Sequence, residues 1–145
     1  IGTGRGMLAA MNLGADAVQI GSRFVATPES SAHEHFKKAI VAVGEGDTQL
    51  TLKELTPVRL VKNEFYQRLE KAYQENADAE QLKALLGRGR AKKGMFEGDL
   101  IEGELEIGQV ASLIEEIKPA AAVVREIVDE FHLALKEQET SKFKF

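Results

Sequence analysis

The residues with the clearest chemical meaning are Gln19-Ile20-Gly21-Ser22-Arg23-Phe24. Gly21 lets a ligand approach the backbone closely, because no side chain stands in the way. The N–H groups of Gly21, Ser22 and Arg23 follow one another, and successive amides in a turn can form a concave nest for an anion. Ser22 adds a hydroxyl donor. Such a set suits a phosphate. The same residue types also make an ordinary turn, and composition does not separate the two. Arg23 is open between a phosphate partner and a neighbouring acid.

Other polar groups carry weaker signals. His33 and His35 stand at i, i+2 and do not share a helix face, so capping or packing at a helix start is expected rather than metal ligation. His132 lies beside an apolar stripe, where a charge–dipole role near a helix end is expected. Arg88, Arg90, Lys92 and Lys93 form a basic patch, followed at once by Glu97, Asp99, Glu102, Glu104 and Glu106. That pattern reads as a solvated loop, with contact to an anionic cosubstrate as the sharper reading. Gln109 stands between an approach to an active site and a packing role. Gly2-x-Gly4-x-Gly6 lacks the spacing of a dinucleotide fingerprint.

The elements that must position the phosphate turn are short. Met7, Leu8, Met11 and Ala15 recur at helical spacing over residues 4–13, and Gly14 stands where a C-terminal cap belongs. Ala17 to Gly21 reads as a buried strand. A helix leading directly into a strand is half of a βαβ unit. Ser31 precedes Glu34 at capping-box spacing, ahead of a helix bearing Phe36, Ala39, Ile40 and Val43. Residues 47–55 read as a short strand or an extended loop. Phe65, Leu69, Ala72 and Tyr73 mark a long amphipathic helix, and Leu82, Leu85 and Leu86 a shorter one. Residues 87–108 read as irregular. Val110, Leu113, Ile114 and Ile117 mark a helix. Pro119 opens the last one, whose stripe runs Ala120, Val123, Val124, Ile127, Val128, Phe131 and Leu135. The tail after Lys136 is expected to fray.

The 145 residues, 43% hydrophobic with net charge −4, suit one globular unit. The acidic balance argues against nucleic acid. No Cys is present, which excludes a disulfide scaffold and a thiolate nucleophile. No apolar run approaches the roughly 20 residues of a membrane span. A cytoplasmic address is the default, and no metal site is expected. A lone apolar strand needs backbone partners that this chain hardly supplies. The opening Ile1-Gly2-Thr3-Gly4-Arg5-Gly6 is read as the loop that follows a further strand.

The segment Ile1 to Gly6, with Leu8-Ala9-Ala10 and Leu13-Gly14-Ala15-Asp16-Ala17-Val18-Gln19-Ile20-Gly21-Ser22-Arg23-Phe24, resembles the nitronate monooxygenase (2-nitropropane dioxygenase) family. That family includes the flavin-type enoyl-ACP reductases. Ala26 to His33 and Gly108 to Ile114 extend the resemblance to about residue 132. Ser22 stands where many members carry Thr. The resemblance implies the C-terminal part of an FMN-binding TIM (β/α)8 barrel, an α/β fold that is mostly helical in this chain. Residues 1–24 would hold the seventh helix, the eighth strand and the phosphate loop, 25–107 an inserted helical excursion, and 108–136 the closing helices.

The same resemblance implies FMN as cofactor, with Gln19, Ile20, Gly21 and Ser22 at its phosphate, and a small-molecule substrate. The family's catalytic His belongs to earlier strands, so no catalytic residue is assigned. The implied activity is oxidation of alkyl nitronates or nitroalkanes with O2. The alternatives are an enoyl-ACP reductase using NAD(P)H, an IMP-dehydrogenase-like phosphate barrel, and an inactive fragment that self-associates as a homo-oligomer through an open strand edge. The isolated chain is expected to bind FMN weakly or not at all.

Overall fold

The computed structural model of the chain describes residues 1–139. Helix α1 spans Gly4–Asn12. It starts there because the Thr3 hydroxyl accepts the Gly6 N–H at 3.0 Å, satisfying an amide that has no intrahelical acceptor. It ends at Leu13, with Gly14 just beyond at φ +97. The last helix, α7, spans Ala120–Glu139 and packs along α1. It therefore continues past Lys136, where fraying was expected; residues 140–145 lie outside the description. Pro119 precedes the first helical residue of α7 rather than occupying it.

Between them lie α2 (Ser22–Val25) and α3 (Glu34–Val41). Strands β1 (Thr48–Thr51) and β2 (Val58–Val61) follow, then α4 (Glu64–Gln74), α5 (Ala79–Leu86) and α6 (Arg90–Met95). A 3-10 turn at Gln109–Leu113 precedes α7. β1 and β2 pair antiparallel, Gln49 opposite Leu60. The chain returns beside β2, with Val61 N–H donating to Leu105 O at 3.0 Å and Ile107 N–H to Arg59 O at 3.1 Å. Residues 25–107, expected to be helical, thus contain a small antiparallel sheet as well as helices.

That sheet separates two cores. On one side Val61, Leu105 and Ile107 pack with Ala26, Phe36, Ile40 and Ala111. On the other, Leu52 and Leu60 pack with Phe65, Leu69 and Leu82 from α4 and α5. Phe36 and Phe65 are fully buried, and burying a side chain of that size contributes roughly 1.5–3 kcal/mol.

Four expectations are corrected. Residues 17–21 form no strand, and Gly21 is in the helical region at φ −109, ψ −67. Ala17, Gln19 and Gly21 are exposed, and no neighbouring strand is present among the described residues to complete a ladder. Ser31 does not cap α3; His33 does, its Nδ1 accepting the His35 N–H at 3.1 Å. Only a single 3-10 turn forms where Val110 to Ile117 suggested a helix. Gly108 and Pro119 bracket that segment, and Leu113 is exposed. Along α7, Val123 and Ile127 are buried but Val124, Val128 and Leu135 are exposed.

Candidate phosphate-binding turn

The turn between α1 and α2 is held from two sides. Gly21 is the N-cap of α2. The first amides of a helix have no intrahelical acceptor, so Ser22 and Arg23 offer N–H groups at this corner. A Cβ built on Gly21 would meet nothing within 4 Å, which leaves the backbone open to an approaching group. Ser22 Oγ accepts the Gly108 N–H at 3.0 Å. Its own hydroxyl proton stays available to a second acceptor. A Cβ at Gly108 would lie 2.6 Å from Ser22 Oγ, so glycine there permits the contact.

Ile20, Gly21, Phe24, Thr27 and Glu29 line an open groove of about 440 Å³ at this corner. Gln19 is exposed and Ser22 half-buried beside it; neither lines the groove. The donor chemistry fits a phosphate: an open glycine, helix-start amides and a hydroxyl. Ile20 and Phe24 give it an apolar flank.

The Arg23 side chain takes no part. It is buried, and its Nη2 donates to Glu126 Oε1 at 2.5 Å. Lys118 Nζ meets the other oxygen of Glu126 at 2.5 Å. Lys118, and then Arg23, hold the Glu126 carboxyl below the usual carboxylate range. Of the two partners the sequence left open, the acid is the one found. Glu29 faces the start of α7, both carboxylate oxygens accepting the Ala120 N–H at 3.1 Å. Hydrogen bonds from its own amide and from Ala120 keep it below its ordinary pKa, and an anion at a helix start is favourable.

The basic patch is dispersed. Arg90 Nε donates to Leu86 O at 2.7 Å, its Nη1 to Glu102 O at 2.7 Å, and its guanidinium lies 4.4 Å from the Phe65 ring centre. Lys92 pairs with Glu97 and Lys93 with Asp99, each at 3.1 Å. His132 lies inside α7, well before its end, edge-on to Phe131 at 5.6 Å; the helix-end role expected for it does not apply. Gln109 is exposed at the start of the 3-10 turn. Among the described residues, no group of His, Asp or Glu is placed to hold a metal, and no helix is long and apolar enough to cross a membrane.

Gly108, Glu29 and Glu126 support the turn and were not foreseen. Their partners lie 86, 91 and 103 positions away in sequence, beyond any local spacing signal.

The described residues combine short helices with a small antiparallel sheet and leave an open, hydroxyl-bearing turn at the start of α2. Residues 1–130 match the model of the nitronate monooxygenase family, and the chain belongs to that family. A probable nitronate monooxygenase of Staphylococcus saprophyticus is 38% identical over 96 residues, covering 63% of this chain and 27% of the relative. Among solved structures, FabK from Thermotoga maritima is 38% identical with a TM-score of 0.87, covering 97% of this chain and 44% of that one. Nitroalkane oxidase from Streptomyces ansochromogenes is 28% identical with a TM-score of 0.71, covering 94% and 39%. The chain thus spans less than half of these solved relatives.

Proposed function

We propose that this chain forms one wall of the flavin-phosphate site of an FMN-dependent oxidoreductase that oxidises alkyl nitronates with O2. The observation that carries this reading is the open Gly21–Ser22 turn, braced by Gly108, inside the family match. The amides of Gly21 and Ser22 and the Ser22 hydroxyl would hold the phosphate, with Gln19 and Ile20 flanking it. When bound, FMN accepts electrons from the substrate and passes them to oxygen. The residues of this chain orient the cofactor. The parent fold is a (β/α)8 barrel, in which residues 17–21 become a strand once neighbours supply backbone partners.

A second reading, an FMN-dependent enoyl-ACP reductase using NAD(P)H, is favoured by the likeness to FabK, which exceeds that to nitroalkane oxidase in identity and TM-score. Both readings use the same phosphate turn. Anaerobic mixing of the FMN-loaded parent enzyme, full barrel included, with ethylnitronate or with NADH separates them. Flavin bleaching by the nitronate, with reoxidation by O2, is the expected result. Rapid bleaching by NADH with turnover of an enoyl thioester would replace the first reading by the second.

A further inference from the structure

A second polar groove, of about 350 Å³, lies between the Gly44–Gly46 turn, β1, β2 and the 3-10 turn, and Arg59, Thr48, Gln109 and Ser112 line it. It falls within the range of small-ligand sites, roughly 300–1,000 Å³. Arg59 is half-buried. Its Nη1 donates to Thr48 O at 3.1 Å and to Thr48 Oγ1 at 3.2 Å. Thr48 is itself 8% exposed, so this anchor is fixed in the sheet. A guanidinium carries five donors in a planar fork, and Nη1 alone is engaged among the described residues. Glu45 also lines the groove, yet no ion pair joins it to Arg59.

This contrasts with the other half-buried arginines of residues 25–107: Arg68 is paired with both oxygens of Glu102 at 2.7 Å. Arg90 spends its fork on Leu85 O, Leu86 O and Glu102. Arg59 instead presents a pinned cation in a groove that Gln109, Ser112 and Thr48 also line; the Ser112 hydroxyl donates to Gln109 O at 3.4 Å, and the Thr48 hydroxyl accepts from Arg59. Open space surrounds Gly46, which turns at φ +84. The unspent N–H groups of the Arg59 fork and the Gln109 side-chain amide, on different segments around one groove, suit an anion with several acceptor oxygens such as a phosphate. The groove also adjoins the candidate flavin corner, because Gln109 follows Gly108, the residue bound to Ser22.

We infer that this groove is a phosphate-binding subsite, with Arg59 its principal contact, for the phosphate group of a cosubstrate. The cosubstrate role rests on the second, NAD(P)H-dependent reading above, since neither O2 nor an alkyl nitronate carries a phosphate; phosphate binding in the groove does not.

The probe is inorganic pyrophosphate, titrated into the chain by calorimetry and by amide chemical shifts. Saturable binding is expected, with shifts centred on Gly44–Gly46, Gln109 and Ser112. Arg59→Gln weakens it roughly tenfold or more, and Arg59→Lys, which keeps the charge but loses the fork, weakens it less. Thermal unfolding shows that each variant is folded; should Arg59→Gln fail to fold, Arg59→Lys and the shift map decide. Wild-type affinity in the folded variant, shifts confined to Gly21–Arg23, or no binding by the wild type would each overturn the inference. Ser22→Ala provides the separation: it weakens FMN, and any pyrophosphate held at Gly21–Arg23, while the shifts at Gly44–Gly46, Gln109 and Ser112 keep their wild-type titration. Loss of FMN binding alone therefore bears on the flavin reading, and loss of pyrophosphate binding alone on the groove.

Discussion

Ser22 Oγ accepts the Gly108 N–H at 3.0 Å and so ties the proposed phosphate turn to the segment that leads into the last helix. Ser22→Ala removes that acceptor and a proposed phosphate donor together. A half-buried amide left unpaired costs about 1–2 kcal/mol, and FMN affinity is expected to fall roughly tenfold, since loss of one charge-assisted hydrogen bond is of that order. Ser22→Thr keeps the hydroxyl and is expected to keep both. Gly108→Ala would press a methyl group toward Ser22 Oγ, 2.6 Å away before relaxation. Because both changes act on one contact, the double variant Ser22→Ala/Gly108→Ala should lose less than the sum of the singles. Urea unfolding and flavin fluorescence titration measure both quantities; strict additivity would show that the two residues act separately.

Gly4 has a different reason to be glycine. A Cβ there would lie 2.1 Å from Ile127 O and 2.2 Å from Phe131 N, both backbone atoms of α7. Its N–H donates to Glu130 Oε2 at 2.7 Å. Gly4→Ala must push α1 from α7, and overpacking of this kind costs about 1–3 kcal/mol. Gly14→Ala, with nothing within 4 Å, is expected to cost less, its penalty coming from the positive φ. Denaturant midpoints of the two variants compare them directly; equal loss would remove the packing explanation.

These two glycines show where sequence reasoning reached and where it stopped. α1, α3, α4, α5 and α7 were visible because each repeats apolar residues at helical spacing, and burial of Leu8, Phe36, Phe65, Leu82 and Ile127 follows that spacing. Residues 17–21 carried a strand composition, yet a strand exists through its neighbours, and the described residues contain none for it. The segment 105–107 gave the opposite error. It lies in a charged, glycine-rich stretch, and pairs with β2 because Leu105 and Ile107 alternate with Glu104 and Glu106. In the candidate site, Gly21 and Ser22 were legible as types. The brace at Gly108, and the loss of Arg23 to Glu126, depend on contacts between segments far apart in the chain.

The two arginines of the basic patch differ in role, one structural and one solvated. Arg90 holds the end of α5 through Leu85 O and Leu86 O, reaches Glu102 O, and covers the face of Phe65. Arg90→Ala uncovers these acceptors and removes the cation–π contact, for a combined cost of about 2–3 kcal/mol. Arg88 is exposed in the turn before it, and Arg88→Ala is expected to fall within about 0.5 kcal/mol of wild type. Chemical denaturation distinguishes the two. Comparable losses would mean that the patch stabilises the fold through its summed charge instead.

Glu104 gives the fold a pH dependence near neutrality. Its side chain is buried, and burial, reinforced by the charge of Glu106 and opposed by Arg90, raises its pKa from 4.5 to about 7. The folded state therefore holds a proton that the unfolded chain has released. Between pH 4.5 and about 7 the native state binds more protons than the unfolded one. Stability from this group is present in full below the unfolded value and is lost as pH rises through the folded value, with no further change above it. The loss is expected to be at most roughly 3 kcal/mol for a shift from 4.5 to about 7, which already includes the counter-charge of Arg90. Glu104→Gln keeps the shape without the titration, and its stability should stay flatter than wild type from pH 5 to about 8. Urea midpoints across that range test the assignment. Parallel curves for the two proteins would place the proton on another group, whereas convergence at low pH with divergence above neutrality would place it on Glu104.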